Sequence, residues 1–139
     1  MFKHILVPID LSGRNEPALR TALALAQQCQ ARVTLLHVIH RLARIPLGEL
    51  SGFYRGLERR SKRRLDLAAK RFASKGVAVR AAVLIGEPAA EIVKTAARQR
   101  VDLIVMGSHK IDPARPRTGW GTTSYKVGIL CQCPIMLVK

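Results

Sequence analysis

Residues 101–123, VDLIVMGSHKIDPARPRTGWGTT, carry the residue types best suited to holding a ligand. An apolar run, Leu103-Ile104-Val105-Met106, breaks at Gly107-Ser108, and Gly121-Thr122-Thr123 stands just ahead of a helical pattern. Small residues at a strand exit let main-chain N–H groups approach a ligand, and a helix N-terminus adds unpaired donors and partial positive charge. That combination suits a phosphate. Asp10 closes an earlier apolar run; such an aspartate either hydrogen-bonds a hydroxylated ligand or caps the following turn or helix. Ser108 and Thr122 either bind phosphate or merely cap.

Other reactive side chains give weaker signals. His37 and His40 are three apart in an apolar run, so on a strand they point to opposite faces and share no metal. His109 falls in the loop, within reach of a phosphate or of solvent. Cys131 and Cys133 lack a partner cluster at metal-site spacing and read as core residues. The sequence contains no G-x-G-x-x-G, G-x-x-x-x-G-K-[ST], H-E-x-x-H or G-x-S-x-G motif, and its nine acidic residues are scattered. Binding is therefore expected rather than enzymatic catalysis.

The elements that must position these residues follow from hydrophobic period. Residues 3–9 read as a buried strand ending near Pro8, and residues 15–30 as a helix with Leu19, Ala22, Leu23, Ala26 and Cys29 on one stripe. Residues 32–39 form a second strand and 40–52 a loop with Pro46, Gly48 and Gly52. A helix over 53–75 has Leu57, Leu65, Ala68 and Phe72 inward and stops at Gly76. Residues 77–85 make a third strand. Gly86-Glu87-Pro88 starts a helix with Ile92, Val93 and Ala96 facing in. Residues 103–106 are the fourth strand, a last helix runs from Thr122 or Thr123 to about Gln132, and 134–138 is the fifth strand.

Strands alternating with helices, and apolar throughout, define an α/β fold around a parallel sheet, in one domain over 1–139. Ligands of such sheets sit beyond the C-terminal strand ends where the winding reverses. Neighbouring first and fourth strands would bring Asp10, Gly107, Ser108 and the start of the last helix to one crevice.

Charge is the unusual feature of the composition: 24 Lys and Arg against 9 Asp and Glu, a formal +15. Anionic partners are favoured, whether nucleotides, nucleic acid, acidic proteins or a membrane surface. Residues 55–75 concentrate the excess, with nine Lys and Arg against Glu58 and Asp66; such a helix surface is either simply solvated or the docking face of an acidic protein partner. Aromatic residues are only 4%, too few for a base-stacking platform, so nucleic acid is not expected. Apolar runs stop short of a membrane span, Met1-Phe2-Lys3-His4 leads directly into a strand, and three cysteines suit a reducing compartment. A cytoplasmic protein without a leader is expected.

KHILVPIDLS, VTLLHVI, GEPAAEIVKTA, VDLIVMGSH and the ending CPIMLV occur in order along the whole chain, and together they resemble the universal stress protein family. The resemblance implies a five-stranded parallel sheet ordered 3-2-1-4-5 with helices on both faces (adenine nucleotide alpha hydrolase-like). It also implies a homodimer through the last strand and a stress-response role. Nucleotide-binding members of that family carry G-x2-G-x9-G-[ST] and hold ATP or a related adenine nucleotide. Carried onto this sequence, the ligand residues are Pro8, Asp10, Val38, Met106, Gly107, Ser108, His109, Gly121, Thr122 and Thr123. Asp10 serves the ribose and the backbone at Val38 the base. The only metal implied is Mg accompanying ATP, and slow ATP hydrolysis is the one reaction left open. The motif departs at its centre: Lys110 replaces the middle glycine and ten residues, not nine, separate it from Gly121. Lys110 either obstructs a nucleotide or places an ammonium beside its phosphates. If the loop is structural only, the alternative is a dimeric interaction module without nucleotide, recruiting its partner through the basic helix.

Overall fold

Each apolar run becomes a strand because its side chains are wanted on both faces of one sheet. The computed structural model describes residues 1–41, 48, 51–108, 114 and 122–139. The strands are β1 (His4–Pro8), β2 (Arg32–His40), β3 (Val79–Gly86), β4 (Leu103–Gly107) and β5 (Ile135–Val138). All pair in parallel, in the order β3-β2-β1-β4-β5. The helices are α1 (Glu16–Cys29), α2 (Ser51–Ser74), α3 (Pro88–Arg98) and α4 (Thr123–Leu130).

Alternation along the strands splits the core in two. Ile5, Val7, Val33, Leu35, Leu103 and Val105 face one layer with the α1 stripe and with Leu65 and Phe72 of α2. Leu6, Leu36, Val38, Ile104 and Met106 face the other, against Ala89, Ile92 and Ala96 of α3 and Val127 of α4. A strand buried on both faces has no polar side to show, which is why β1 and β4 lack a polar alternation. At roughly 1.5–3 kcal/mol for each large side chain buried, these two layers are the main source of stability.

Several boundaries differ from the sequence reading. His40 continues β2, and Ser51 and Gly52 belong to α2, so only part of the expected 40–52 loop remains; residues 42–47, 49 and 50 lie outside the described residues. The early start of α2 is secured by Tyr54, whose ring is buried. β3 begins at Val79 rather than 77. α4 stops at Leu130, before Gln132, because Cys131 is already extended (φ −76°, ψ 141°) as the chain turns toward Pro134 and β5. On α3, Thr95 is buried while Val93 is only half-buried. Cys131 and Cys133 are half-buried at the margin of the second core, their Sγ atoms 3.2 Å apart, and burial followed by the neighbouring thiol pushes Cys133 up to about 12.

The entry to α3 is capped from within. Glu87 is extended at the N-cap, and its carboxylate accepts from the N–H of Ala90 at 2.7 Å and of Ala89 at 3.3 Å. The Ala90 bond is the main reason the Glu87 carboxyl is held below its ordinary value. Glu87→Ala is expected to cost about 1 kcal/mol in denaturant unfolding at neutral pH. Because the folded pKa is the lower one, the difference from wild type is full above the ordinary glutamate range and shrinks as pH falls through the folded value.

Candidate functional site

The winding reverses between β1 and its neighbour β4: β2 and β3 lie on one side, β5 on the other. Ile5↔Leu103 and Leu6↔Ile104 set the register, so both strands release their loops at the same end of the sheet. A cavity of about 750 Å³ opens there, within the range of small-ligand sites.

One wall comes from the β1–α1 connection. Pro8 ends β1, and the next residues keep sheet contact through Ile9 N–H to the Leu36 carbonyl at 2.8 Å. Asp10 then organises a tight turn. Its Oδ1 accepts from the Ser12 N–H at 2.9 Å, from the Ser12 hydroxyl and from Asn15 Nδ2 at 3.3 Å, while Asn15 Nδ2 also donates to the Asp10 carbonyl at 2.8 Å. Burial pushes the Asp10 carboxyl up, but the Ser12 and Asn15 hydrogen bonds outweigh it and leave the group below its ordinary value. The result is a carboxylate fixed by one oxygen, with Oδ2 in none of these bonds.

The floor is apolar: Leu36, Val38, Ile92 and Met106 line the cavity. His37 lines it too, and its Nδ1 donates to the Ile9 carbonyl at 2.7 Å. His40 is exposed, so the two histidines part as strand geometry requires. The far wall is the β4 exit and the α4 start. Ser108 N–H is tied to the Val138 carbonyl at 2.9 Å, and Lys139 Nζ donates to Ser108 Oγ at 3.2 Å. Thr122 caps α4, its Oγ1 accepting from the Tyr125 N–H at 3.4 Å. Arg14 joins the lining, its carbonyl 3.8 Å from where a Cβ on Gly107 would lie.

Of the residues singled out in the sequence, Pro8, Asp10, Val38, Met106, Gly107, Ser108, Thr122 and Thr123 all line this cavity. His109 and Gly121, with Lys110 and Trp120, lie outside the described residues. The sequence reading missed Ser12, Asn15, His37 and the two cations Arg14 and Lys139. Asp10-x-Ser12 and Asn15 were findable as side-chain turn residues following a strand; Lys139 was not, because only the β4–β5 pairing carries it over to Ser108. Among the described residues, no group of three or more His, Cys, Asp or Glu could hold a metal.

A parallel five-stranded sheet with a polar-rimmed cavity at its switch point defines an α/β protein of the adenine nucleotide alpha hydrolase-like fold. The universal stress protein family model matches residues 1–139, and the chain belongs to that family. A universal stress protein from Thermus aquaticus, encoded in the QAH/OAS sulfhydrylase 3' region, is 37% identical over the full length of both chains. The solved structure of MJ0577, a universal stress protein of Methanocaldococcus jannaschii, superposes with a TM-score of 0.83 at 29% identity, covering 100% of this chain and 96% of that one. A universal stress protein from Archaeoglobus fulgidus, solved in complex with dAMP, shares the fold at a TM-score of 0.71 and 22% identity, over 99% and 98% of the two chains.

Proposed function

We propose that this protein is a single-domain, cytoplasmic stress-response module that binds an adenine nucleotide in the switch-point cavity. The observation carrying the reading is the meeting of Asp10, Gly107, Ser108 and the capped α4 start around one apolar-floored hollow. In this reading Oδ2 of Asp10 accepts from the ribose hydroxyls, the main chain at Val38 meets the base edge, and the Ser108 and Thr122–Thr123 rim, flanked by Arg14 and Lys139, meets the phosphates; what supports it is that all these residues line the one cavity. A magnesium ion arriving with ATP would supply charge neutralisation among the phosphates. A carboxylate held below its ordinary value is a weak base at neutral pH, so Asp10 holds a ligand rather than taking a proton. Calorimetry with ATP, ADP, AMP and adenosine tests the assignment: saturable heat in the micromolar to low millimolar range is expected, and silence with all four ligands sinks it.

The assembly we infer is a homodimer through β5. Among the described residues that strand pairs with β4 alone, and Met136 and Leu137 on it, with Ile129 and Leu130 on α4, are large apolar side chains left exposed. Leu137→Asp is expected to halve the mass seen by light scattering while leaving nucleotide heat per chain intact. A wild-type mass of one chain would remove the proposal.

A further inference from the structure

The unused feature of this molecule is the outward face of α2, and we propose that it docks on an anionic phospholipid surface. Tyr54, Ser61, Leu65 and Phe72 are buried and fix the roll of the helix. At about 100° per residue, the opposite arc of roughly 120° carries Phe53, Arg59, Arg60, Arg63, Leu67 and Lys70, all exposed. Among the described residues, none of those four cations has a carboxylate within ion-pair distance. Of the nearby acids, Glu16 is taken by Arg71 at 2.8 Å and Arg20 at 3.8 Å, and Asp66 by Lys62 at 3.4 Å; Glu58, also on α2, lies by helical roll outside this arc and, among the described residues, is in no ion pair. The face is therefore an uncompensated cationic strip on a protein of net charge +15.

Its two apolar side chains decide the kind of partner. Phe53 is 52% exposed and Leu67 68% exposed, and Phe53 is braced edge-on against the Tyr54 ring at 5.7 Å. They stand fourteen residues, about 21 Å, apart along the helix with the arginines between them. A protein partner draws its affinity from anchors clustered at the centre of a patch, which this spacing does not provide. Nucleic acid takes up the cations but gains nothing from an exposed leucine. A bilayer offers phosphate to every cation and the headgroup–acyl boundary to an apolar side chain at any point along the helix, and a polybasic strip with apolar residues is the combination that binds it. Among the described residues no helix is long and apolar enough to cross a membrane, so the contact is peripheral.

The full chain is sedimented with phosphatidylcholine vesicles containing about 30 mol % phosphatidylglycerol, and with phosphatidylcholine alone, at about 0.1 M NaCl. Binding at least about tenfold tighter to the anionic vesicles is expected. Reversal of Arg59, Arg60 and Arg63 to Glu should abolish that preference, and Leu67→Ser should weaken binding about threefold or more. Reversal of Lys94, Arg98 and Arg100, which are exposed on or just beyond α3, lowers the charge by the same three two-unit steps, from +15 to +9, and should leave most of the binding. All these positions are exposed, and circular dichroism with thermal unfolding verifies that each variant folds. Equal loss in the two triple variants, no effect of Leu67→Ser, or no vesicle binding overturns the proposal. So does tighter binding to a DNA duplex or to poly-L-glutamate than to the anionic vesicles.

Discussion

Replacing Asp10 by alanine is expected to weaken adenine-nucleotide binding about 10- to 100-fold, the value of a hydrogen bond to a charged group (roughly 1.5–3 kcal/mol). Two losses combine. Oδ2, the oxygen outside the turn, disappears as a ribose acceptor, and Oδ1 disappears as the hub that gathers the Ser12 N–H, the Ser12 hydroxyl and Asn15. Asp10→Asn separates them, since the amide oxygen can keep the turn while the charge is gone; a smaller loss is expected. Because adenosine carries the ribose but no phosphate, it should lose as large a factor as ATP. The pH dependence has a definite sign. The folded-state pKa of Asp10 is depressed, so the factor by which wild type exceeds Asp10→Ala in affinity for adenosine stays level from neutral pH through the ordinary aspartate range and shrinks only as pH drops through the lower folded value. Titration calorimetry of wild type and both variants at several pH values checks this. Undiminished affinity in Asp10→Ala removes Asp10 from the site.

Phe72→Ala is expected to destabilise the protein by about 3–5 kcal/mol, a shift in Tm of roughly 10–15 °C for a chain of this size. Phe72 is fully buried and is among the largest side chains sealed in the first core. It projects from the 24-residue α2 into a cluster with strands hydrogen-bonded into the sheet, so the space it leaves closes poorly. Ser61, on the same buried side of α2, supplies the opposite sign. Its hydroxyl is fully buried and, among the described residues, has no hydrogen-bond partner. An unpartnered buried hydroxyl costs about 1–3 kcal/mol, so Ser61→Ala is expected to raise stability by about 1 kcal/mol after the small volume loss is subtracted. Denaturant unfolding of both variants gives the test. A Phe72→Ala cost under about 1 kcal/mol would mean that the core relaxes around the missing ring.

Much of the architecture was written in hydrophobic period alone. Short apolar runs such as Leu103-Ile104-Val105-Met106 have nowhere to lie except inside a sheet covered on both faces, and the helical stripe Leu19, Ala22, Leu23, Ala26 required a partner layer. Asp10 and Gly107 could be placed at strand exits for the same reason. Element ends were less legible, because they depend on anchors distant in sequence: the burial of Tyr54 draws α2 back to Ser51, past a glycine that by itself suggests a loop. The site needed three dimensions. Hydrophobic period does not fix which strands adjoin; the order came from the family resemblance, and the β1–β4 and β4–β5 pairings then bring the Asp10 turn opposite Ser108 and carry Lys139 onto its hydroxyl. Charge behaved likewise: the sequence supplied the arginines of α2, but the roll of the helix, set by Tyr54, Leu65 and Phe72, decided which of them stand together facing outward.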